Sequence, residues 1–204
     1  YDNAEGFDGL IMWAAGLTGP KAYPGTYYVK LNVGESSMIE SFNILKDERS
    51  LSSNEDLKEQ FDFLIGIRDK VTEIHKSIKQ IRSTRDQLNS LNGKLDDSHE
   101  SISNSIKDII KRITKIEENL YQTKNRSGQD PLNFPIRLNN KLAHLSSVAG
   151  RGNFKPTDQM YGVRDELVKL IDVELQKWNE IKDSELDKIN AMILENNIQL
   201  ISIN

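Results

Sequence analysis

Three histidines, thirty-one acidic residues and no cysteine bound the chemistry open to this chain. Without Cys there is no disulfide, no thiolate metal site and no thiol nucleophile. His75, His99 and His144 follow neither H-E-x-x-H nor paired E-x-x-H spacing, the patterns that bring metal ligands onto one helix face. Asp96 and His99 are one helical turn apart but fall at a loop, and a metal role for them is disfavoured. His144, beside the Leu142–Leu145 face, reads as a packed or half-exposed surface residue. No G-x-S-x-G elbow presents a serine. Gly16 to Gly25 is rich in glycine but lacks the strand-to-helix context of a phosphate loop, so turns are expected there. The carboxylates follow solvated helix faces, and no glycosidase pair can be singled out among them. The expectation is therefore no catalytic residue, no metal ligand, no cofactor-binding residue and no cofactor. Three places stand out singly. Arg85 interrupts an apolar seam and reads either as a side chain that snorkels outward or as an interior ion pair with an acid of the last helix. Trp178 reads as a core anchor, with a carbohydrate-stacking platform as the alternative. Asn125-Arg126-Ser127 matches a glycosylation sequon, a triplet common by chance.

Whatever those residues do, long helices must position them. Leu64, Ile67, Val71, Ile74, Ile78, Ile81 and Leu88 recur in steps of three and four, or seven where Arg85 breaks the seam. That heptad spacing places them on one stripe of a helix, which must bury its dry side on partners. The 204 residues suffice for a real core, in one domain or two small ones. The hydrophobic share of 37% and charged share of 28% suit amphipathic helices. A net charge of −4 offers no global basic field for nucleic acid or anionic lipid. No apolar run reaches the ~20 residues that span a bilayer. The chain opens at Tyr1 without an initiator Met or a signal peptide and is expected to be a piece of a longer protein.

Residues 1–50 are expected to be a partial β module. Pro24-Gly25 suits a turn. Tyr27, Val29, Leu31 and Val33 then alternate with polar or exposed partners, Gly34-Glu35 permits a tight turn, and Met38, Glu40, Phe42 and Ile44 share a face of the return strand. A hairpin over about 26–45 follows, marginal alone, so it is expected to complete an upstream sheet or lean on the helices. Leu10 to Ala14 is a third strand or a buried lead-in.

Residues 51–204 are expected to form a helical bundle. Ser52 with Glu55 makes a capping box for helix one, which ends between Leu91 and Leu95. Asp97 with Glu100 caps helix two, whose inner face is Ile102, Ile106, Ile109, Ile113, Ile116 and Leu120. Tyr121 to Asp130 reads as a mobile polar loop. Pro135 opens helix three, with Leu138, Leu142, Leu145 and Val148 inward. Thr157 caps helix four, which carries Met160, Val163, Leu167, Leu170, Ile171, Leu175, Trp178 and Ile181 and continues weakly to Met192. Asn196-Asn197 stops it, and Ile198 to Ile203 is a terminal strand or a flap. The fold class is thus mainly α: an antiparallel up-down four-helix bundle with a small N-terminal β-hairpin. Leu64–Lys94 holds seven basic and three acidic residues, whereas Asp158–Lys188 holds nine acidic and five basic. Helices one and four are therefore expected side by side.

Leu10-Ile11-Met12-Trp13, Gly19-Pro20-Lys21-Ala22, Pro24-Gly25-Thr26-Tyr27, Asp47-Glu48-Arg49, Gln60-Phe61-Asp62 and Ile81-Arg82-x-x-Arg85 form a pattern. It resembles the C-terminal region of large bacterial sortilin-like proteins built on BNR (Asp-box) β-propellers, often described as glycosyl hydrolases. The likeness spans most of the chain and is sharpest in the first 90 residues. No Asp-box repeat occurs here, so no catalytic residue is carried over. The resemblance implies an exported protein, periplasmic or extracellular, with this chain as its tail: the end of an immunoglobulin-like β module, then a bundle. With no reactive constellation beside the two heptad seams, the chain is expected to be a non-catalytic accessory module that packs on or presents its partner, the upstream propeller domain of the same protein. The alternatives are a helical module that binds another protein and a part of a glycoside hydrolase that contributes to carbohydrate binding.

Overall fold

A computed structural model describes residues 1–198, so residues 199–203 of the expected terminal strand or flap lie outside the described residues. The chain is a helical bundle carrying a two-stranded antiparallel hairpin. Strand β1 (Gly25–Val33) pairs with β2 (Ser36–Ile44), with Val33 opposite Ser36 and Gly25 opposite Ile44. The two-residue loop turns on Gly34, whose φ of 58° suits a residue without Cβ at the first central position of a hairpin turn.

Helix α1 (Asn54–Asn92) is the spine of the bundle. All seven seam residues are buried, and full burial of each such side chain contributes roughly 1.5–3 kcal/mol. The capping box lies one residue later than expected: Ser53 accepts from the Asp56 amide, and Asp56 accepts from the Ser53 amide. Ser52 is instead buried and donates its hydroxyl to the Asn153 carbonyl. Helix α2 (Glu100–Leu120) buries the six expected Ile and Leu residues. Its start is prepared by Asp96, which accepts from the Ser98 amide, rather than by Asp97. Helix α3 (Leu138–Ala149) begins three residues beyond Pro135, whose carbonyl accepts from Gln122. Leu142 and Leu145 are buried there, with Asn139 and Asn140 at its inner start. Helix α4 (Asp158–Glu180) has its N-cap at Thr157 as expected.

Side-chain bonds reveal how the four helices run. On α2, Ser103 reaches Asn92 and Glu117 reaches Arg82, so α2 lies antiparallel to the upper half of α1. On α3, Asn139 meets His75 and Ala149 meets Gln60, so α3 lies antiparallel to the lower half. On α4, Tyr161 meets Glu59, Asp172 meets Lys70 and Trp178 meets Gln80, so α4 runs alongside α1 in the same direction. The four helices therefore make three antiparallel rods, the middle one split into α2 and α3. Helices one and four do share a face. Lys70–Asp172 is the ion pair that crosses it, and at the surface such a pair contributes only ~0–1 kcal/mol.

A π turn at Ile181–Glu185 joins α4 to α5 (Leu186–Glu195). One extra residue in that turn keeps both Ile181 and Ile189 inward, eight positions apart, where two α turns span 7.2. Arg112 of α2 grips Glu185 with both terminal nitrogens and so pins the turn. In the first half of α4 the packed positions are Met160, Tyr161, Leu167 and Val168, and Val163 and Leu170, expected inward, are about half exposed. The stretch 121–130, expected to be mobile, is anchored. Tyr121, Gln122 and Asn125 are buried, and the Asp130 carboxylate accepts from the amides of Arg126 and Ser127.

Candidate functional site

The split in the middle rod is where the first twenty residues attach. These residues form a closed arm: the Tyr1 amine donates to the Pro20 carbonyl, and the Ala4 amide donates to the Leu17 carbonyl. Gly19 is required at this closure, because a Cβ there would overlap the Tyr1 and Asp2 carbonyls. Leu10–Ala14 is part of this arm and not a strand.

From its closed end the arm reaches across α1 and over the gap between α2 and α3. Helix side chains hold it by its backbone. Thr72 Oγ1 accepts from the Glu5 amide, and His75 Nδ1 donates to the Glu5 carbonyl at 2.5 Å. The Tyr121 hydroxyl accepts from the Ile11 amide and donates to the Gly9 carbonyl. Asn140 brackets Trp13, its Oδ1 accepting from the amide at 2.7 Å and its Nδ2 donating to the carbonyl at 2.9 Å. His144 donates to the Ala14 carbonyl, and Ala14 takes a left-handed φ of 49°. Phe7 fills the gap itself, edge-on to both His75 and Tyr121 at 5.0 Å, with the Arg82 guanidinium 4.6 Å from its ring centre.

Beneath the arm lies an ion cluster. Glu117 is almost wholly enclosed and accepts from Arg82 at 2.7 Å and from Arg85. Arg85 thus makes the interior ion pair, with its partner on α2 and not on the last helix. The reason is the topology: the middle rod, not α4, faces that turn of α1. Trp178 is buried and donates to Gln80, which leaves no ring face for a sugar. Asn125 of the sequon is buried, out of reach of a glycosyl donor. Asp96 and His99 do meet, at 2.8 Å, as part of the turn that starts α2. Among the described residues no cluster of three or more His, Asp or Glu could hold a metal ion.

Burial pushes the His75 imidazole below its ordinary pKa, against the opposing pull of its bond to Glu5 and of the Glu5 carboxylate. Hydrogen bonding from Lys79 holds the Glu5 carboxyl below its ordinary range. From sequence His75 is weighed only as a metal ligand, and Tyr121, Asn139 and Asn140 are not singled out. The available signal was two adjacent Asn residues at inner positions of an otherwise apolar helix start.

The second surface of note is the hairpin. Tyr27, Val29, Leu31 and Val33 lie opposite Phe42, Glu40, Met38 and Ser36 and make one face, apolar except at Glu40 and Ser36. That face meets water: Leu31 is 61% exposed and Met38 63%. Both edges are open as well. With Val33 and Ser36 as the bonded pair that closes the turn, the backbone groups of Thr26, Tyr28, Lys30 and Asn32 point away from β2. Among the described residues the hairpin is held at its base, by Tyr23 against Phe61 at 5.1 Å and by Lys46, which donates to the Ser50 and Ser52 carbonyls. A cavity of about 500 Å³ lies at this joint, bordered by Pro20, Tyr23, Lys46, Gln60 and Asn153. Among the described residues, no helix is long and apolar enough to cross a membrane.

Set against models of protein families, curated proteins and solved structures, the chain matches none of them.

Proposed function

We propose that this chain is a non-catalytic accessory module, a bundle that holds a β-hairpin by its base and offers the apolar face to a β-rich neighbour. The observation that carries this reading is the hairpin itself. A two-stranded hairpin is marginal in water, and this one sets Val29, Leu31, Val33, Met38 and Phe42 into solvent on both strands. A second sheet stacked about 10 Å away would cover them, and an open sheet edge is a ready template for a further strand. The resemblance to sortilin-like proteins supplies the identity of such a neighbour: the β module and propeller that would precede this tail in an exported bacterial protein. The bundle then acts as a buttress that fixes where the hairpin points.

Methionine oxidation tests the reading. Treated with peroxide in the isolated chain, Met38 is expected to oxidise rapidly. In the parent protein it is expected to be protected at least tenfold. Equal rates in both settings would remove the docking role, and glycoside or peptide hydrolysis by the purified chain would remove the non-catalytic assignment.

A further inference from the structure

We propose that His75 is a proton-operated latch on the arm, holding residues 5–14 against the bundle as a neutral imidazole and loosening them when it takes up a second ring proton. The hydrogen bonds dictate the tautomer. A carbonyl oxygen only accepts, so the proton sits on Nδ1, facing Glu5. Nε2 is then an acceptor, and Asn139 Nδ2 donates to it at 3.1 Å. A second proton on Nε2 would confront that amide N–H. Turning the Asn139 amide over would present its Oδ1, which is buried without a partner. The positive charge would still occupy a site closed to water, since His75 is 0% exposed.

The surrounding charges do not compensate for it. From the arm, the Glu5 carboxylate favours an imidazolium, but Lys79 and Lys76 of α1 already pair with it. Across the Phe7 ring, Arg82 is a further cation, bound to Glu117 of α2. From α3 the contact is the uncharged Asn139 amide, and His144 bonds the arm farther along, at Ala14. With the arm lifted, His75 meets water and regains a pKa of about 6.5. The open form therefore takes up the proton first. Closure is complete above that pH and weakens as the pH falls toward the depressed pKa of the closed form.

Amide hydrogen exchange of the whole chain between pH 7.5 and 5, corrected for intrinsic rates, tests the latch. The amides of Glu5, Ile11 and Trp13, each bonded to a helix side chain, report arm opening. Below pH 6.5 their opening is expected to rise by up to roughly tenfold per pH unit, while amides of the α1 seam stay flat. Asn139→Asp, which sets a carboxylate against Nε2, is expected to abolish this rise, as is His75→Gln. His144→Gln is expected to keep it. Arm exchange that ignores pH in the natural chain would overturn the proposal. So would a rise that survives Asn139→Asp or His75→Gln, or one that disappears with His144→Gln.

Discussion

The α1 seam and the hairpin are both regular apolar patterns, and they meet opposite fates. From Leu64 to Leu88 every seam residue is buried. From Val29 to Val33 the same residue classes stand in water. A helix with one apolar stripe finds partners within this chain, because α2, α3 and α4 carry matching stripes. A flat sheet face finds none, because no other strand exists among the described residues. Stability therefore resides in the three rods, and the hairpin's apolar face stays in water.

The largest effect is expected in the seam. Ile78 is fully enclosed at the middle of α1, and Ile78→Ala is expected to cost about 2–5 kcal/mol. In a chain of this size that lowers the thermal midpoint by roughly 5–15 °C, as followed by circular dichroism. A loss below about 1 kcal/mol would mean that the bundle collapses around the gap and that the contrast is weaker than drawn. The arm's closure is expected to respond less. Gly19→Ala forces the Tyr1 and Asp2 carbonyls aside, at about 1–3 kcal/mol. Its signature is faster exchange at the Ala4 amide with the seam amides unchanged, so loss of seam protection would show the arm and bundle to be one unit. The smallest effect belongs to the hairpin. Leu31→Ala is expected to change the stability of the isolated chain by no more than about 0.5 kcal/mol. A cost approaching that of Ile78→Ala would show that the hairpin already packs on the bundle in solution, which would erase the distinction.

Much of the helical architecture was legible because a period of three and four residues has few structural solutions. The α1 seam, the α2 face, the Thr157 cap and the hairpin register each follow from local rules that hold without knowledge of neighbours. The clamp on the arm was not legible. His75, Tyr121, Asn139 and Asn140 are separated by up to 65 positions, and hydrogen bonds to backbone amides leave no mark on the sequence of the residues held. The expected mobility of 121–130 failed for the same reason, since polar residues signal a loop whether water or protein satisfies them. Arg85 shows the limit most clearly: its interruption of the seam announced an unusual partner, but only the packing could identify Glu117.

Sequence alone settled which long segments coil and where the hairpin pairs, because those depend on periodicity within a single element. Tertiary structure decided that α2 and α3 share one rod, that the gap between them receives Phe7, and that the hairpin's apolar face is left open. Those outcomes depend on which distant surfaces meet, a property of chain closure in space that no local pattern contains.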